Sequence, residues 1–350
     1  LSRVFMVGIV VIGAGRWGNH LIRNVLEHPD AELVAVVDRD PERLAAVADK
    51  YQLDGRVILT TGWASVKPLP QVQAAIVATP ATDHYETISQ ILDRGCHVLA
   101  EKPLTLDPQE AIALCHLAES KNLILSVDHT YLFNPAVERG AEVVNSGALG
   151  QLRYGYAART HLGPVRRDVD VLWDLVIHDI AIFNRWLGES PTQVSATGEV
   201  WLQPTAEAAP RDLFPEGLAD VAWATLTYPS GFRAQIHLCW CNPDKQRRLA
   251  VTGSQGTLVF DELSPSPLTL YRGYLDRTEA GDWNPSAVEP EAIATPAAEP
   301  LRRVFEGFLK SVRSQQPCDR SSGWVGVELV KVLRGLTESS SQGGVPVSIE

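Results

Sequence analysis

Residues 7–12, Val-Gly-Ile-Val-Val-Ile, run directly into Gly13-Ala-Gly15-Arg-Trp-Gly18, and the next apolar stretch ends on Asp38. No other feature restricts the fold of this chain as much. A short apolar run rich in β-branched residues suits a strand buried on both faces. The glycines that follow have separate physical tasks. Gly13 permits a tight turn, Gly15 lets a phosphate approach the backbone, and Gly18 lets a helix pack closely on the strand. The helix that begins at about Trp17 then offers free N–H groups and a positive dipole end to an anion. Asp38 stands twenty positions after Gly18, where a carboxylate accepts hydrogen bonds from the ribose hydroxyls of a bound dinucleotide. A 2'-phosphate would meet that carboxylate, so NAD is favoured. NADP is the alternative, because Arg39 can pair with such a phosphate or stack on adenine. Arg16 and Trp17, inside the motif, join the cofactor candidates.

The alternation continues through the first third. Strands are predicted at residues 33–37, 57–59, 74–78, 97–100 and 123–127, with a helix opened by Pro41 and carrying Leu44, Ala45, Val47 and Ala48, and helices at about 85–93 and 108–121, between them. Repeated β-α units predict an α/β fold with a doubly wound parallel sheet. The pattern changes after Asp128. Helices at about 135–146 and 173–187 are followed by strand-like runs at 193–200, 221–228, 232–240, 248–252 and 257–260. These predict an α+β region with a large, mostly antiparallel sheet. The chain thus divides into a dinucleotide-binding domain, 1–127, and a substrate-binding and oligomerisation domain, 128–350. Residues 203–219 and 262–300, rich in Pro, Ala, Glu and Ser, read as surface loops. Two late helices, about 301–314 and 324–339, pack back on the body, and 339–344 reads as a linker to a short terminal strand.

Composition narrows the function classes. The formal net charge of -11 disfavours nucleic acid and anionic membranes, which need a basic face. No apolar run reaches membrane-spanning length. The five cysteines, Cys96, Cys115, Cys239, Cys241 and Cys318, contain no Cys-x-x-Cys pair and read as reduced thiols of a cytoplasmic protein. Cys239 and Cys241, flanking Trp240, should share one face of a strand. Residues 1–5 read as a dispensable extension before Met6. No clustered Cys and His set suggests a metal.

Three further motifs carry chemistry. Thr79-Pro80 ends the 74–78 strand, at the edge where open parallel sheets bind ligands, with His84 five positions on. Taken alone, His84 is equally a surface helix residue. Glu101-Lys102-Pro103 follows the 97–100 strand, and Pro103 turns the chain so that Lys102 projects rather than continuing the strand. Taken alone, Lys102 is a solvated lysine. Asp174 and His178 lie four apart, on one face of a helix; taken alone, His178 is a core histidine satisfied by Asp174.

Together these motifs, in this order and spacing, resemble the glucose–fructose oxidoreductase/inositol dehydrogenase (Gfo/Idh/MocA) family over nearly the whole chain. The resemblance implies a Rossmann domain followed by an α/β domain with a larger sheet, and a homodimer or homotetramer formed through that sheet. It implies NAD(P)-dependent transfer of a hydride between nicotinamide and a hydroxyl carbon of a small sugar-like substrate. It also assigns the catalytic pair to Lys102 and His178, with Asp174 orienting the imidazole or binding a sugar hydroxyl. Imidazole ordinarily titrates near neutral pH and suits a general base; an ammonium suits a developing alkoxide. Glu101, Thr79, Pro80 and His84 join the cofactor set.

A closer likeness, over residues 159–187, is to the branch of nucleotide-sugar 3-dehydrogenases. The chain has Arg159-Thr-His161-Leu-Gly163, then Arg166-Arg167-Asp168, then Asp170-Val-Leu-Trp173-Asp174-Leu-Val-Ile-His178-Asp179. His161 and Asp170 stand where that branch usually has Asn, and Val176-Ile177 replace Ala-Pro, so the resemblance leaves the substrate open among nucleotide sugars, inositols and free sugars. Substrate candidates are therefore Arg159, His161, Arg166, Asp170, Trp173, Asp174 and His178, with Lys102 and, just after the last parallel strand, His129, Tyr131 and Asn134. Arg159 and Arg166 suit a carboxylate or phosphate. The rival readings are a dinucleotide-binding sensor without turnover and an NAD-dependent glycosidase.

Overall fold

The apolar run forms strand β1 (Val7–Ile12), buried at every position, in the computed structural model, which describes residues 6–66, 69–205 and 208–349. Residues 1–5, read from sequence as an extension, lie outside the described residues. Helix α1 (Arg16–Glu27) returns to β2 (Ala31–Val37). Helix α2 (Pro41–Tyr51), capped by the Asp40 side chain on the Glu42 N–H, leads to β3 (Ile58–Thr60) and β4 (Ala74–Val77). Then come α3 (His84–Asp93), β5 (His97–Ala100), α4 (Pro108–Ser120) and β6 (Leu125–Val127). These six strands pair in parallel in the order β3-β2-β1-β4-β5-β6. Strand order reverses between β1 and β4, so their carboxyl ends flank the switch point where such sheets take ligands.

The second sheet starts after α5 (Pro135–Asn145) with β7 (Leu152–Leu162), an eleven-residue strand. A π-helical turn, Leu172–Val176, leads into α6 (Ile177–Leu187). Strands β8 (Gln193–Glu199), β9 (Val221–Thr227), β10 (Arg233–Cys239), β11 (Cys241–Gly253) and β12 (Gly256–Asp261) follow. After them come β13 (Leu268–Arg272), β14 (Leu275–Arg277), β15 (Trp283–Pro285), β16 (Glu289–Ala292) and β17 (Val347–Ser348). Nine strands form one sheet, β16-β13-β12-β11-β7-β10-β9-β8-β17, antiparallel except for the β10–β7 pair. Alternation along β7 separates two faces. Gly155, Ala157, Arg159 and His161 are buried, while Tyr154 and Tyr156 are exposed. Gly155 lets α6 seat close, since a Cβ there would lie 2.6 Å from the Phe183 ring. Trp186 of α6 likewise lies against Gly140 of α5. The opposite face carries Tyr154, Tyr156, Trp223 and His237, with the Trp223 and His237 rings stacked at 5.5 Å.

Several expectations are corrected. Residues 262–300, read as loop from their Pro and Glu content, hold four strands, two of which extend the sheet edge. Polar residues before Arg248 also pair, because β11 begins at Cys241 with an irregular register up to Gln246. The apparent strand through Trp240 breaks there, and Trp240 Nε1 donates to the buried Asp220 carboxylate at 2.5 Å. The helix expected at 173–187 opens with the π turn instead. Residues 339–341, read as linker, close the last helix, α8 (Gly323–Ser341), which follows α7 (Pro300–Ser314).

The chain divides into two compact units: residues up to Thr130 together with Glu299–Val330, and Tyr131–Ala298 together with residues from Lys331 on. In the first unit α7 packs on α1, and the segment before α8 pairs with β6 through Ser126 and Ser322. Among the described residues no helix is long and apolar enough to cross a membrane.

Candidate functional site

In the first unit a cavity of about 520 Å³ opens at the carboxyl ends of β1, β2 and β4. Gly13, Gly15, Asp38, Arg39, Thr79 and Pro80 line it, and so do Arg43 and Trp63, which carry no motif. The three glycines differ in cause. Gly13 has φ +100°, and a Cβ there would sit 2.4 Å from the Ala78 carbonyl oxygen. A Cβ on Gly18 would sit 1.9 Å from the Gly13 oxygen. Both are therefore required by the protein's own packing. Gly15 is not: its φ is -68°, and the nearest atom to a Cβ would be an Arg43 nitrogen at 3.9 Å. Open space in front of a helix N-terminus with no side chain on it fits the pyrophosphate of a dinucleotide.

The Asp38 side chain is almost wholly buried. Its Oδ2 accepts the Ala14 N–H at 2.6 Å and its Oδ1 the Asp40 N–H at 2.9 Å, so the carboxylate braces the glycine turn from beneath. Arg39 forms an ion pair with Asp83. Arg16 and Trp17 lie exposed in the first turn of α1, the guanidinium 6.0 Å from the indole, and do not line the cavity. His84 is 1% exposed, not a surface helix residue. Its Nε2 lies 3.0 Å from the Thr79 carbonyl and its Nδ1 2.9 Å from that of Pro103, which ties the turn after β4 to the turn after β5.

Glu101 is buried and Lys102 half-buried at the exit of β5, and the Lys102–Pro103 peptide bond is cis. On the neighbouring strand Asp128 donates its backbone N–H to Ala100, which sets Asp128 and His129 beside that exit. Burial, opposed by the Thr130 hydroxyl and the Lys102 charge, pushes the Asp128 carboxyl up to about 6. Burial and the same ammonium push His129 down to about 3, so its ring is neutral. Thr79 Oγ1, Asp128 Oδ2 and His129 Nε2 are buried with no hydrogen-bond partner. A native protein leaves few such atoms, and each one calls for a cause.

In the second unit Arg159 is 1% exposed and three of its donors are engaged by protein. Nε and Nη2 donate to Asp179 at 3.0 and 2.7 Å, and Nη1 to the Tyr131 hydroxyl at 2.8 Å. Its guanidinium lies 4.5 Å from the Tyr131 ring centroid, and that ring packs 4.8 Å from the His178 imidazole. Trp173 is fully buried, its Nε1 donating to Thr337 at 2.8 Å. Asn134 caps α5 through the Ala136 N–H. Arg166 spans Asp168 and Asp174, with 3.4 Å to the latter. Asp174 lies within the π turn, a geometry frequent at functional sites, and His178 in the first turn of α6. Asp170 is 4% exposed, accepts the Trp173 N–H at 3.0 Å, and is pushed up to about 7 by burial. His161 is buried on the covered face of β7, its Nδ1 without a partner; burial, then the Arg247 charge, lowers its pKa. Sequence alone missed Asp128, whose short polar side chain after a strand carries no distinguishing spacing. It also missed Asp179 as the partner of Arg159. Among the described residues no group of three or more His, Cys, Asp or Glu side chains converges as a metal site.

Comparison with known proteins matches residues 7–129 to the model of an oxidoreductase family with an NAD-binding Rossmann fold. Residues 137–259 match the GFO/IDH/MocA C-terminal domain. UDP-N-acetylglucosamine 3-dehydrogenase of Acidithiobacillus ferrooxidans is 28% identical, over 89% of this chain and 91% of its own length. Inositol 2-dehydrogenase of Rhizobium meliloti is 25% identical, over 75% and 78%. A solved structure from Magnetospirillum magnetotacticum MS-1 is 32% identical with a TM-score of 0.76, covering 94% of this chain and 98% of that one.

Proposed function

The chain belongs to the GFO/IDH/MocA family of oxidoreductases with an NAD-binding Rossmann fold, and we propose that it oxidises or reduces a hydroxyl carbon of a sugar-like substrate, with Lys102 and His178 as the catalytic pair. The observation that carries this reading is the set of buried, unpartnered polar atoms on residues singled out from sequence: Thr79 and His129 in the first unit, His161 in the second. Polar atoms desolvated without partners cost stability, and a polyhydroxylated substrate with its coenzyme would satisfy them.

Gly13, Gly15, Gly18, Asp38, Thr79 and Pro80 would hold the dinucleotide. When bound, the nicotinamide accepts or supplies the hydride. The protein's own groups manage the proton and the charge. Lys102 stabilises negative charge growing on the reacting oxygen. His178 takes the hydroxyl proton, a contribution typically worth about 10² to 10⁴ in rate. Tyr131, whose hydroxyl accepts from Arg159 and donates to Glu262, holds the imidazole in place, so Arg159 and Trp173 serve the site as supports. Asp174 is steered by Arg166. His161 and Asp170 meet sugar hydroxyls, and they distinguish this chain from the nucleotide-sugar branch it otherwise resembles. The exposed aromatic face of the nine-stranded sheet, Tyr154, Tyr156 and Trp223, is the surface through which two or four copies would assemble.

The test is a thermal-shift screen of NAD and NADP crossed with nucleotide sugars, inositols and free hexoses, followed by turnover assays on the hits. Ligands that bind the folded state raise its melting temperature. A dinucleotide shift combined with silence across every polyol class, in both binding and turnover, would defeat the sugar reading.

A further inference from the structure

The rim of the dinucleotide cavity holds more charge than the glycine motif requires. Arg39 and Arg43 both line it beside Asp38 and Asp40. Arg43 is held by two carboxylates, its Nη1 3.8 Å from Asp38 and its Nε 3.4 Å from Asp40. Arg39 is held by one that is distant in sequence, Asp83, at the start of α3. Three carboxylates thus face two guanidiniums where an adenosine ribose would meet Asp38. A 2'-phosphate on that ribose is a dianion and needs at least one guanidinium turned toward it. Arg39 is the better placed, since its side chain is 75% exposed and able to swing.

We propose that Asp83 sets the coenzyme preference: by pairing with Arg39 it withholds that guanidinium from a 2'-phosphate and directs the site to NAD. The proposal rests on the dinucleotide reading of the cavity and on no assumption about the substrate. Asp83 is suited to the task because it does little else. Its side chain makes no capping bond to α3 and is 39% exposed. An exposed ion pair contributes little to folding, so removing the charge leaves the fold intact while freeing Arg39.

The experiment measures dissociation constants for NADH and NADPH by titration calorimetry on wild type, Asp83→Asn, Arg39→Ala and the double variant. Asp83→Asn is expected to tighten NADPH binding by roughly two- to fivefold, the range an exposed charged contact supplies, and to move NADH by less than about 1.5-fold. In the Arg39→Ala background the same substitution is expected to lose most of that gain. Equal shifts for both coenzymes, or a gain undiminished without Arg39, would overturn the proposal. A wild-type protein that binds neither dinucleotide would remove the cofactor reading itself, a failure plainly different from the first two.

Discussion

Replacing Asp170 by asparagine should stabilise the protein above neutral pH and lose that advantage as the pH falls. Burial holds the Asp170 carboxyl at about 7, against 3.8 for the free side chain. A raised pKa means that the native state binds the proton more tightly than the unfolded chain does. The associated stability is therefore complete below about pH 4 and is lost as pH rises through 7. Each pKa unit is worth about 1.4 kcal/mol, so ionised Asp170 costs the native state up to about 4 kcal/mol, and about 2.5 kcal/mol of that is lost between pH 5 and 9. Asparagine keeps an oxygen for the Trp173 N–H but must bury an amide N–H₂, which costs roughly 1–3 kcal/mol if unpartnered. The net expectation is a variant no more stable than wild type at pH 5 and about 1–3 kcal/mol more stable at pH 9. Urea unfolding of both proteins at several pH values supplies the measurement, and comparing the two cancels contributions from Asp128 and His129. A stability difference that stays flat from pH 5 to 9 would show that Asp170 does not titrate as argued. The same chemistry bears on the substrate. A carboxylic acid half-protonated near pH 7 can donate as well as accept, as asparagine does, so substrate affinity in wild type should weaken above pH 7 and stay level in the variant.

Other outcomes follow from the same geometry. Lys102→Ala should bind the dinucleotide within about threefold of wild type while losing at least about 10²-fold in kcat, the scale of a lost electrostatic contact to the reacting oxygen; single-turnover rates equal to wild type would remove Lys102 from the mechanism. Gly15→Val should fold with a nearly unchanged melting temperature yet weaken NADH binding by more than about tenfold, since the new side chain fills space that a phosphate needs. Gly18→Ala should instead fail to fold, because its Cβ would sit 1.9 Å from the Gly13 oxygen; the opposite ranking of the two variants would refute the division of labour among the glycines. Trp223→Glu on the open sheet face should lower the mass measured by light scattering to that of one 38.3 kDa chain, and an unchanged larger mass would place the assembly contact elsewhere.

How much of this was legible in the chain depends on where the physical cause lies. The parallel sheet is written locally: Val7–Ile12 is apolar throughout because it is buried throughout, and Gly13 stands where the turn needs φ +100°. The strands at 268–272 and 289–292 leave no comparable trace. The second is the edge strand, exposed at all four positions, where Pro290 is tolerated, and the first, beside it, buries only Leu268 and Leu270. The π turn was hidden for a related reason, because Leu172–Val176 has ordinary helical composition and its wider winding depends on what packs around it.

The site divides along the same line. Lys102 and His178 can be proposed from sequence because each sits in a short local motif, which the structure places after β5 and in the first turn of α6. Arg159 was legible as a charge but not as a function. Sequence alone treats an arginine as a free cation able to hold a phosphate or carboxylate, whereas Asp179, twenty positions later, takes two of its donors and Tyr131 a third. A buried guanidinium with those partners cannot be offered to a ligand without leaving the Asp179 charge stranded in the interior, at a cost of several kcal/mol. On the proposed reading its effect on chemistry passes through Tyr131, whose ring packs on His178. If Arg159 only steadies the imidazole, Arg159→Lys should lower kcat and shift its pH dependence while leaving the substrate KM nearly unchanged. A rise in KM with kcat intact would return Arg159 to the role of a direct substrate contact.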